Sequence, residues 1–61
     1  MDRVKVYKQL DEASRLADLL SRRLSDAASA VAYGSAPDLT TAEALLRSIE
    51  ALMSTVKEAS Q

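Results

Sequence analysis

Apolar residues recur along the first half of the chain in an unbroken rhythm of fours and threes: Val6, Leu10, Ala13, Ala17, Leu20, Leu24, Ala27 and Val31. This period places them on one stripe of an α-helix. In heptad terms Leu10, Ala17, Leu24 and Val31 are a positions, and Val6, Ala13, Leu20 and Ala27 are d positions. The second half repeats the pattern with Ala42, Leu45, Ile49, Leu52, Val56 and Ala59, and Leu46 and Met53 widen the stripe on one flank. Between the halves lie the only glycine, Gly34, and the only proline, Pro37. Glycine takes the left-handed conformation that ends a helix cheaply, and proline blocks its continuation. The pattern predicts an all-α fold, an antiparallel two-helix hairpin resembling a coiled coil. Helix one covers about 3–33, the turn 34–40 and helix two about 41–60, within one domain over 1–61. Thr40 and Glu43 have the spacing of a capping box. Asp11 with Arg15, Asp18 with Arg22, Arg22 with Asp26, and Glu43 with Arg47 are spaced as i,i+4 pairs. Each such pair contributes about 0.2–0.5 kcal/mol, and together they mark a solvated outer face.

A short connector favours antiparallel neighbours. Pairing Val31 with Ala42, Ala27 with Leu45, Leu24 with Ile49, Leu20 with Leu52, Ala17 with Val56 and Ala13 with Ala59 keeps one register throughout. Several of these layers set a small residue against a large one, which lets helices interdigitate. In this register Leu24 and Ile49 meet near the middle.

Helix one is the longer, at roughly 46 Å against roughly 30 Å for helix two with about 1.5 Å of rise per residue. Val4, Val6, Tyr7 and Leu10 then overhang without an intrachain partner. Leu16 and Leu19 on helix one, and Leu46 and Met53 on helix two, lie off the main seam. Two helices cover a narrow seam, so this surplus points to a helix supplied by another molecule. The weaker reading is that single exposed apolar residues are ordinary on any surface. The first residues also allow a short strand, since Val4, Lys5, Val6 and Tyr7 include β-branched and aromatic side chains; Asp11 would then cap a shorter helix. Tyr7 is the better interface candidate of the two tyrosines, because Tyr33 stands beside the turn and can pack over it.

Composition narrows the chemistry. The chain has 61 residues, no cysteine and no histidine. At this size stability is marginal without disulfides, metal or assembly, and the first two lack their usual ligands here. The common base and nucleophile arrangements are missing too, as is any glycine-rich phosphate loop, so the chain reads as non-enzymatic and without a cofactor. Asp11, Glu12 and Asp18 are three carboxylates along one helix, a pattern that is far more often solvated charge than a metal site. Lys8, Arg15 and Arg22 recur every seven residues with Arg23 beside them. They are the candidate nucleic-acid contacts, but neighbouring carboxylates offset them, no aromatic interleaves for base stacking, and the net charge is −1. No apolar run is long enough to span a membrane, and Met1 to Lys5 lack a signal peptide's apolar stretch, so a cytoplasmic protein is expected. The initiating Met1 suggests a full reading frame.

The reading that follows is a small interaction module, an adaptor, chaperone or inhibitor. It would bind a protein partner or itself, as a homo-oligomer, through Val6, Tyr7, Leu10, Leu16, Leu19, Leu46 and Met53. The alternatives are a nucleic-acid-binding hairpin homodimer using Lys8, Arg15, Arg22 and Arg23, and a pure oligomerisation domain. In outline the layout resembles small bacterial and phage helical hairpins: type III secretion needle co-chaperones, antiactivators that sequester a regulator, and plasmid copy-number proteins that bind RNA. The likeness is one of architecture and implies no residue roles.

Overall fold

The computed structural model describes residues 2–60, and Met1 and Gln61, the two ends of the expected domain, lie outside the described residues. Two helices, α1 (Arg3–Ala32) and α2 (Thr40–Ala59), pack against each other in a hairpin. Its extents are 49 × 14 × 12 Å.

The N-terminal valines are helical, not a strand. Asp2 is the reason: its carboxylate Oδ1 accepts the free amides of Val4 at 3.1 Å and Lys5 at 3.2 Å. An N-cap of this kind satisfies donors that the first turn leaves open. Helix α1 therefore starts at Arg3, and Asp11 lies inside it rather than at its N-cap.

Helix α1 ends at Ala32, one residue before the expected boundary, with Tyr33 as its C-cap. Gly34 has φ +85°, the left-handed conformation that the sequence assigns to it. The Ser35 amide donates to the Ala30 carbonyl at 2.8 Å and the Gly34 amide to the Val31 carbonyl at 3.0 Å. This pair of bonds is a Schellman motif, which satisfies carbonyls left open at the helix end. Tyr33 does not pack over the turn: it is 89% exposed.

The capping box is not formed. Helix α2 begins at Thr40 itself, so the Thr40 hydroxyl is one position too late to act as the N-cap, which is Leu39 with no side-chain cap bond. Asp38 takes that role from outside the helix, its Oδ1 accepting the Thr40 amide at 3.0 Å. The Thr40 amide, then its hydroxyl, hold the Asp38 carboxyl below the usual carboxylate range, against a small opposing effect of burial.

The inward line of α2 is the expected one as far as Val56: Ala42 is buried, and Leu45, Ile49, Leu52 and Val56 are half-buried, whereas Ala59, expected to pair with Ala13, is exposed. Helix α1 differs. Its d positions turn inward, with Ala13 and Ala27 buried and Val6 and Leu20 half-buried. The a positions Leu10, Ala17, Leu24 and Val31 stay exposed. Gln9, Leu16 and Ala30, one step round the other way, are half-buried instead. Helix α1 is thus rotated by about 50° from the expected seam, given about 100° of turn per residue. The paired layers of Val31 with Ala42, Leu24 with Ile49 and Ala17 with Val56 are replaced accordingly. Small residues at the connector end fit this rotation: Ala27 and Ala42 are buried there and Ala30 is half-buried. A leucine or valine directed into that space would wedge the helices apart.

Candidate protein-binding face

The rotation of α1 gives the hairpin two unlike sides. Helical spacing places Leu10, Ala17, Leu24 and Val31 along one edge of the seam, and Leu46 and Met53 along the same edge of α2. Leu20, Leu24, Leu39, Ala42, Glu43 and Leu46 line a shallow groove on this side. The opposite edge carries Glu12, Leu19 and Asp26 on α1 and Thr41, Ser48 and Thr55 on α2. Arg23, Asp26, Asp38 and Thr41 border the groove there.

The apolar side is wet in the single chain. Leu24 is 48% exposed, Leu46 45%, Met53 56% and Val31 57%. Leu39, which the sequence pattern leaves in the connector, joins them. The signal that would have found it is its spacing of seven residues from Leu46 and fourteen from Met53.

Of the residues singled out from the sequence, Tyr7, Leu10, Leu46 and Met53 fall on or beside the apolar side and are exposed. Leu19 is exposed on the polar side, and Leu16 is half-buried on the inward line of α1, not off the seam as expected. Val6 is half-buried in the overhang. Helix α1 has 30 residues and α2 has 20, so the ten-residue difference leaves about 15 Å of α1 unaccompanied at 1.5 Å per residue.

Lys8, Arg15, Arg22 and Arg23 are all exposed. Lys8, Arg15 and Arg22 share an outer line, whereas Arg23 falls on the inward line of α1 and borders the polar groove. Arg15 is paired with Asp11 at 3.1 Å, and Arg47 with Glu43 at 3.7 Å. The other two spaced pairs, Asp18 with Arg22 and Arg22 with Asp26, are not closed among the described residues. Exposed pairs of this kind contribute little to stability.

Among the described residues no cluster of acidic side chains is arranged to hold a metal ion, and no helix is long and apolar enough to cross a membrane. Compared with known proteins, the chain matches no family model, no curated protein and no solved structure.

Proposed function

We propose that the chain is a small non-enzymatic interaction module that binds a protein through the apolar side of its hairpin. The observation that carries this reading is the unlike character of the two sides. Leu24, Leu39, Leu46 and Met53 gather on one edge of the seam, while Ser48, Thr55 and Asp26, with Leu19 among them, hold the other. Burying the exposed half of one such side chain contributes about 1 kcal/mol, so the four together contribute about 4 kcal/mol from this face alone.

The nucleic-acid reading has less support. Its basic line is interrupted by the Asp11 pair, and Arg23 stands away from the other three beside Asp26 and Asp38. The test is a comparison of sides. Leu24→Asp with Leu46→Asp should abolish association with a protein partner, whereas Leu19→Asp with Ser48→Asp should leave it intact. Equal loss in both double variants would overturn the assignment of the face.

A further inference from the structure

The interaction reading leaves the occupant of the apolar side open, and resting on that reading we propose that it is a second copy of this chain, related to the first by a two-fold axis parallel to the helices. The surface area points to an assembly of this size. The chain exposes 4857 Å². A compact protein of 6.6 kDa exposes about 3,900 Å² by the usual scaling with mass. The excess of about 1,000 Å² is close to the roughly 800 Å² that each partner gives to a standard interface. The hairpin is also only 14 × 12 Å in cross-section, and a second hairpin laid on its apolar side would make a four-helix bundle.

Height fixes the register of the two copies, and charge selects the direction of the axis. Both helices leave the same connector, so Val31 lies level with Leu39, Leu24 with Leu46 and Ala17 with Met53. An axis parallel to the helices preserves height. It sets α1 over α2 of the second copy, so that all three levels meet without sliding, one of them small against large. The rim of α2 on this side carries Glu43, Glu50 and Lys57, and the rim of α1 carries Ser14, Ser21 and Ala28. Laid α1 over α2, this charged rim meets small uncharged residues. An axis perpendicular to the helices at the level of Leu24 and Leu46 sets α2 over α2 and brings Glu43 of each copy near Glu50 of the other. The parallel axis also projects both α1 overhangs from one end, with Tyr7 and Leu10 of the two copies on facing sides.

The experiment uses the full chain, whose lack of cysteine makes single labels unambiguous. Spin labels go on Arg3→Cys and, separately, Ser35→Cys, at opposite ends of α1. A parallel axis gives like-to-like distances below about 30 Å at both sites. A perpendicular axis puts at least one of them beyond about 40 Å, since the two ends of α1, Arg3 and Ala32, are about 44 Å apart at 1.5 Å per residue. That result overturns the geometry. The unlabelled chain is also followed by sedimentation equilibrium and by melting over a hundredfold range of concentration. A dimer whose melting midpoint rises with concentration supports the proposal. A folded monomer at every concentration overturns the second copy and leaves the interaction reading to a different protein. A dimer that survives Leu24→Asp with Leu46→Asp, at unchanged helicity, overturns both.

Discussion

Leu24 and Leu46 line one groove beside the seam, yet each leaves close to half of its surface in water. They come from different helices and from different heptad positions, and the rotation of α1 brings them to the same edge. The pairing of Leu24 with Ile49 would have hidden one of them, and the small residues at the connector end prevent it.

Gly34 is held at φ +85° with open space where a Cβ would stand. Gly34→Ala therefore meets a backbone penalty and no clash. It should lower stability by about 1–2 kcal/mol while preserving the helical content. Denaturant unfolding followed by circular dichroism checks this.

Ala42 is 5% exposed and lies in the seam between the helices. Ala42→Leu should force the helices apart at a cost of about 1–3 kcal/mol. The same substitution at the exposed Ala44 should change stability little. Thermal melts of the two variants, side by side, give the comparison.

Asp38 carries a carboxyl lowered from the ordinary value of 3.8 by the Thr40 amide and hydroxyl. A depressed folded value means that its contribution to stability is present above the ordinary value and is lost as pH falls through the folded one. Asp38→Asn should remove that part of the acid sensitivity. Amide exchange at Thr40 and Thr41, compared between neutral pH and pH below the lowered folded value, reads the loosening of the first turn of α2.

Asp2 caps the overhang, which has no second helix beside it. Asp2→Ala should cost about 0.5–2 kcal/mol of local helix stability. The effect should appear as faster amide exchange over residues 4–8, with α2 unchanged.

The inward line of α2 was legible in its spacing because its central line, Ala42 to Val56, is apolar throughout and turns inward, while Leu46 and Met53 stay exposed on its flank. Helix α1 has an apolar arc too wide for one neighbour. Its d line is shared by two possible seams, one taking in Leu10, Leu24 and Val31, the other Gln9, Leu16, Arg23 and Ala30. Hydrophobicity favours the first. Packing takes the second, which turns Ala30 rather than Val31 toward α2 at the connector end. The richer line is left outside, and no count of apolar residues in one chain reveals that. The capping box failed for a related reason: the spacing of Thr40 and Glu43 is right, but the helix starts one residue early once Asp38 accepts the Thr40 amide.

The most direct test of the apolar side compares two neighbours on α2 that face opposite edges. A photoreactive amino acid is placed at Leu46 or at Ser48 in the full chain, and each protein is irradiated under the conditions in which it associates. The account predicts a covalent protein–protein adduct from position 46 and none from position 48. Adducts formed equally from both positions, or from position 48 alone, would contradict it.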